Sequence, residues 1–205
     1  MLERMINFLK RIWLKFFSNQ KSKPRIISLE EKIAVHEAGH AIAAWICPHV
    51  QEVSLATIES EFGGMVLFKV FAKTWPQIVI SLAGIAAEQI IFGKFNAKPA
   101  ETDLLSARAL CKKINIENIP IKSRMTLGLS FDKIFLQKLS KKEKIILSAA
   151  YLKAKEILSD KKILLIKLTS SLLLLKSMNE KQLSLVLGKR DFIKILASFN
   201  GKDFL

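Results

Sequence analysis

The sequence predicts a mainly α-helical chain with one small β-hairpin or sheet, an α+β class. Three observations carry this expectation. Stretches of helical length, opened by small polar residues and closed by Pro or Gly, fill most of the chain. One pair of β-branched and aromatic runs, Val53 to Ile58 and Met65 to Phe71, is divided by Gly63-Gly64. Half of the 205 residues are hydrophobic, enough at this length for one sizeable core.

The first helix is announced by Ser28-Leu29-Glu30-Glu31, a capping box in which the Ser28 hydroxyl accepts from the backbone N–H of Glu31 while the Glu31 carboxylate reaches back. Ile33, Ala34, Ala38, Ala41, Ile42 and Ala44 continue it, and Pro48 stops it just after Cys47. Gly39 lies inside this helix at a cost of roughly 1 kcal/mol against alanine, which implies that another chain segment comes close there. After the hairpin, Thr74-Trp75-Pro76-Gln77 opens a second helix with an apolar stripe of Ile78, Val79, Leu82, Ile85 and Ala86, ended by Gly93. A third helix is expected to hold Asp103 in its first turn and to run to about Ile114. Residues 121 to 137 carry no motif. Two long helices close the chain, 141 to 158 and 161 to 177, with Asp160 as the cap between them. Ile163 to Leu175 is apolar almost all round, so that helix needs cover from a core or a subunit interface.

The net charge of +15 is uneven: +6 over residues 1 to 25, zero over 26 to 137 and +9 over 138 to 205. No basic strand is interleaved with aromatics and no nucleic-acid module is recognisable, so the sequence points to no nucleic acid as partner. In Met1 to Phe17, Leu2, Met5, Ile6, Leu9, Ile12, Trp13 and Phe16 recur at helical spacing beside Arg4, Lys10, Arg11 and Lys15. Such an arm fits peripheral contact with an anionic membrane, and equally docking on the protein's own core or on a partner. Its uncharged runs fall far short of the roughly 20 residues that span a bilayer. Residues 20 to 24 read as a linker. Two cysteines, Cys47 and Cys111, give no disulfide framework, and a reducing cytoplasm, with the protein free or peripheral on the inner face of a membrane, fits them best.

The most specific chemistry lies in His36-Glu37-Ala38-Gly39-His40. Positions i and i+4 of a helix share a face, so both imidazoles can address one metal ion. Glu37 leaves the same turn, placed to take a proton from a metal-bound water and hand it to a leaving amine. The third ligand must be sought elsewhere. Ala43 and Ile46 stand where a metzincin needs glycine and histidine; Glu59 and Glu61 lie at thermolysin-like distance but in a turn; His49 follows Pro48 in a loop. Better placed is the later pair of segments, Leu82 to Gly93 and Pro99 to Leu104.

With those segments the chain resembles the protease domain of the FtsH-type membrane AAA proteases. There, H-E-A-G-H is followed by a strand pair, a helix of the form G-x-x-A-E-x-x-x-x-G, and a small-polar stretch whose aspartate opens the next helix. Gly84, Ala87, Glu88 and Gly93 match the second element; Ala100, Asp103 and Leu104 match the third. The resemblance covers about residues 28 to 185, including Tyr151 to Asp160 as a later helix of the family. It implies His36, His40 and Asp103 as zinc ligands, Glu37 as general base, and Glu88 as the acceptor that fixes the tautomer of a ligand histidine. Lys98 to Thr102 departs from the family's pattern, so Glu101 competes with Asp103 as ligand.

On this resemblance the organisation is a basic arm and linker at 1–25, a zinc metallopeptidase domain at 26–185 and a tail at 186–205. The implied function is a zinc-dependent metalloendopeptidase acting on unfolded or extended polypeptides, whose substrate lies along the hairpin edge. The chain has no G-x-x-x-x-G-K-S/T loop, so a separate ATPase partner is implied for folded substrates, and the family's rings imply a homo-oligomer. The alternative is a catalytically inactive protease-like module that binds a membrane or a partner protease.

Overall fold

In a computed structural model of the chain, the described residues are 27–60, 63–70, 74–93, 97–115 and 139–190. The arm at 1–17, its linker, the stretch 121–137 and most of the tail lie outside them. The described elements are mostly helical with one small antiparallel sheet, an α+β arrangement.

At the centre runs α1, Leu29–Ile46, with Ser28 and Glu31 exchanging both bonds of the capping box at 3.1 Å. It is buried continuously from Ala34 to Trp45, because neighbours cover it on every side. Its small side chains permit that. A Cβ on Gly39 would lie 2.5 Å from the Ala83 carbonyl oxygen and 2.6 Å from Ala87 Cβ, so this glycine is where the helix Ala83–Phe92 crosses α1 at close range. The close approach foretold by Gly39 is therefore real, and its partner is a helix backbone.

Strand β1, Val50–Ser60, pairs antiparallel with β2, Gly63–Val70, from Val50 opposite Val70 to Ser60 opposite Gly63. The expected hairpin is present and β1 is longer than its apolar run suggests. The other edge of β1 holds β3, Ser177–Asn179, which pairs with Leu55 to Thr57 and leaves β2 as an outer strand. β3 was not expected. Its three residues have no strand signal of their own and are held by Met178, which is buried, and by the Lys176 carbonyl, which accepts from Ile58 N at 2.8 Å.

Four element boundaries differ from expectation. The helix opened at Thr74 is broken at Leu82 into α2, Thr74–Ser81, and α3, Ala83–Phe92, which Gly93 ends at φ 71° as foreseen. The next helix, α4, starts at Ala97, so Asp103 falls in its second turn and not its first; Pro99 is tolerated in the first turn, where its missing N–H has no partner to lose. Asp160 is the last residue of α5, Lys141–Asp160, and does not cap α6, Lys162–Leu175, whose N-cap Lys161 makes no side-chain capping bond. The final helix of the expected pair stops at Leu175, because Lys176 turns to φ 64° to feed β3.

Helix α6 is a core helix: Leu165, Leu168 and Leu172 are fully buried. Both cysteines are buried and unpaired, as expected. The packed unit runs past residue 185 through α7, Glu180–Leu187, to Arg190, whose guanidinium donates to the carbonyls of Trp45 at 2.9 Å and Cys47 at 3.0 Å and so closes the C-terminus of α1. On the opposite side Arg108 of α4 meets Glu143 of α5 at 2.8 Å, holding the helix that carries Asp103. Thr74–Phe92 is long and apolar enough by composition to cross a membrane, yet 67% of its apolar window is buried inside the fold, where it forms the floor of the site described next.

Candidate metal centre

One turn of α1 presents His36 and His40 on the same side, with ring centroids 4.7 Å apart. Asp103 arrives from α4, 63 residues beyond His40, and its Oδ2 lies 2.7 Å from His36 Nε2 and 3.1 Å from His40 Nε2. Both rings thus turn the same nitrogen to one carboxylate oxygen. Among the described residues these three are the side chains grouped closely enough to hold a metal ion. Glu101 is exposed and outside the cluster, as is Glu59, so the choice left open between Glu101 and Asp103 falls to Asp103.

The other ring nitrogens are fixed from behind. His36 Nδ1–H donates to Glu88 Oε1 at 2.6 Å, and Glu88 is 1% exposed. His40 Nδ1–H donates to the Ile80 carbonyl at 2.8 Å. That carbonyl belongs to the last turn of α2, just before the break at Leu82. With Nδ1 carrying hydrogen on each ring, both Nε2 lone pairs are committed to the metal side.

Glycines make the approach possible. A Cβ on Gly84 would lie 2.5 Å from His36 Nε2 and 2.6 Å from His40 Nε2, so α3 supports the ring edges only without a side chain there. A Cβ on Gly64 would lie 2.5 Å from Glu37 Cγ and 2.6 Å from its Oε1, which brings the start of β2 over that carboxylate. Sequence reasoning matched Gly84 to a family pattern without its steric cause, and gave Gly64 no role beyond the turn. It also missed the Ile80 carbonyl, for which a backbone atom leaves no signal.

Electrostatics report what the cluster lacks. Burial disfavours a charged His36, but hydrogen bonds to Asp103 and Glu88 and the charges of Asp103 and Glu37 outweigh it and push the group up to about 10. His40 is raised in the same way, burial being overcome by Asp103. The two imidazoles in turn hold Asp103 well below the usual carboxylate range against the opposing effect of its burial. Two histidines and two carboxylates around one point therefore call for positive charge, which protons or a metal ion can supply. Glu37, 7% exposed, is raised chiefly by burial.

The donor set fits zinc. Tetrahedral ligands at about 2.0–2.2 Å from zinc stand roughly 3.3–3.6 Å apart, so the observed separations of 2.7 and 3.1 Å need to widen by less than about 1 Å to admit the ion. Two imidazoles and a carboxylate would leave a fourth position open on such an ion, and a cleft of about 440 Å³ lined by Glu37, Gly64 and Val66 reaches all three side chains.

A scan against protein-family models and a search of curated proteins both find no match for this chain.

Proposed function

We propose that the protein is a zinc-dependent metalloendopeptidase, similar to the protease half of an FtsH-type enzyme, that hydrolyses unfolded or extended polypeptides. The observation that carries this reading is the convergence of His36 Nε2 and His40 Nε2 on Asp103, with Glu37 emerging from the same helical turn into the same cleft. A purely structural cluster has no need of Glu37.

Zinc, when bound, would supply a Lewis acid that polarises a scissile carbonyl and lowers the pKa of water toward about 7. His36, His40 and Asp103 would hold it, and Glu88 with the Ile80 carbonyl keeps the rings oriented. Glu37 accepts the proton of the attacking water and delivers it to the leaving amide nitrogen. Burial favours that role, because a carboxylate raised above its ordinary pKa is a stronger base when the proton is taken. The outer strand β2 begins over Glu37, and its far edge, which has no strand partner among the described residues, is one to which an extended chain can add as a further strand. Folded substrates would be opened by a separate ATPase, and the basic arm at 1–17 would bring the enzyme to the cytoplasmic face of a membrane.

Casein digestion by the purified, zinc-loaded chain tests the reaction, with Glu37→Gln at equal zinc content beside it. Cleavage is expected to fall by about 10²–10⁴-fold in the variant. Equal cleavage by both proteins, or none by either at full metal occupancy, would leave the non-catalytic binding module in its place. Sedimentation with anionic vesicles, with and without residues 1–20, tests the arm: unchanged sedimentation after the deletion removes the membrane contact.

A further inference from the structure

Phe68 and Ser81, which line the cleft at the metal centre, also line a second, adjacent cavity of about 540 Å³ formed by β2, α2 and α4, with Val70, Leu110 and Lys113 in its wall. The two cavities lie along one strand: Gly64 and Val66 border the first, Val70 the second. A peptide added to β2 alongside Gly64 to Val70 would cover about 20 Å, opposite seven residues, and would pass both.

Charge in this groove is divided. Its acids, Glu37, Glu88 and Asp103, all belong to the metal centre. Among the described lining residues each cavity has one lysine or arginine, Lys32 in the first and Lys113 in the second. Lys32 stands four residues before His36 on α1, on the same helical face one turn further out, and is half-buried beside Leu29 and Ile33. Neither lysine forms an ion pair with an acid of the described residues. Between them the wall is apolar: Met65, Val66 and Phe68. Lys113 is exposed, at the rim of the second cavity. A half-buried ammonium such as that of Lys32, with no counter-ion among the described residues, gains from an incoming carboxylate more than a fully solvated one does.

We propose that the two cavities form one groove for an extended acidic peptide segment, in which Lys32 and Lys113 take carboxylates flanking an apolar residue seated against Met65, Val66 and Phe68. This rests on the peptidase reading and names its substrate class. The two lysines are specificity-determining residues and take no part in the proton transfers.

Two fluorogenic ten-residue peptides with the same apolar centre, one flanked by glutamates and one by lysines, separate the outcomes on the full-length zinc-loaded chain. The glutamate peptide is expected to have a kcat/KM about tenfold higher at low salt, with the gap closing as salt is raised. Lys32→Gln and Lys113→Gln should each narrow the gap severalfold, and the double Lys→Glu variant should reverse it, with zinc content checked in each. Equal kcat/KM for both peptides, or a preference that survives the double variant, overturns the groove. Binding of the same peptides to zinc-loaded Glu37→Gln protein, read by fluorescence anisotropy, keeps the two claims apart. Charge-selective binding without turnover by the unaltered chain upholds the groove and ends the peptidase reading; turnover without charge selection does the reverse.

Discussion

Gly84 and His36 are matched to each other: a methyl group on residue 84 would lie 2.5 Å from the Nε2 that faces Asp103, and almost as close to that of His40. The floor of the metal centre is thus backbone, and the imidazoles occupy the space that any other residue would fill. Gly84→Ala is expected to push both rings off Asp103. Zinc affinity should fall by at least about tenfold, with a stability loss of about 1–3 kcal/mol from overpacking. Competitive zinc titration and thermal denaturation read the two effects; wild-type zinc affinity in the variant would contradict the geometry.

Glu88 touches the candidate metal centre through His36, at 2.6 Å from Nδ1. Glu88→Gln keeps an acceptor of similar shape, whereas Glu88→Ala leaves a buried ring N–H without a partner. Zinc affinity should drop by about 10–100-fold in the alanine variant and by less in the glutamine variant. Chelator competition gives the ordering, and equal losses in both would remove the orienting role.

The metal-free protein should depend on pH with a definite sign. His36 is raised in the folded state from 6.5 to about 10, so its contribution to stability is fully present below about pH 6.5 and is lost as pH rises toward 10. Asp103 is lowered, so its contribution is present above the ordinary carboxylate range and lost as pH falls through it. Urea unfolding of chelated protein should therefore show stability falling from pH 6.5 to 10. Zinc binding, which displaces the same protons, should strengthen over that range.

Gly39→Ala sets two effects of known size against each other. Helix propensity favours alanine by about 1 kcal/mol, while a Cβ 2.5 Å from the Ala83 carbonyl oxygen forces α3 away from α1. Overpacking of this kind costs about 1–3 kcal/mol, and a backbone oxygen cannot swing aside as a flexible side chain would. Net destabilisation is expected in thermal melts; a variant more stable than the parent would show that the two helices can separate freely.

Much of the frame was legible because it depends on neighbours in sequence. The capping box at Ser28 and Glu31, the stop at Cys47-Pro48, the glycine end of α3 at Gly93 and the hairpin around Gly63-Gly64 are local hydrogen-bond and dihedral preferences, and each stands where the residues put it. The same holds for His36 and His40, whose common face follows from helical spacing alone. The capping box at Ser140 and Glu143 was equally readable and was overlooked.

What required the folded chain is whatever joins segments far apart. β3 exists because α6 ends beside the free edge of β1; the break at Leu82 sets the Ile80 carbonyl against His40; Arg190 closes a helix 145 residues earlier. Glu101 and Asp103 are two carboxylates separated by one residue, and apart from the resemblance that singles out Asp103 no local signal ranks them. On α4 they point about 200° apart, and only the packing of that helix decides which of them meets the imidazoles. Sequence by itself determined the two imidazoles on α1 and the helix that aligns them; tertiary structure decided which carboxylate meets them, because that meeting depends on distances through space that no local preference encodes.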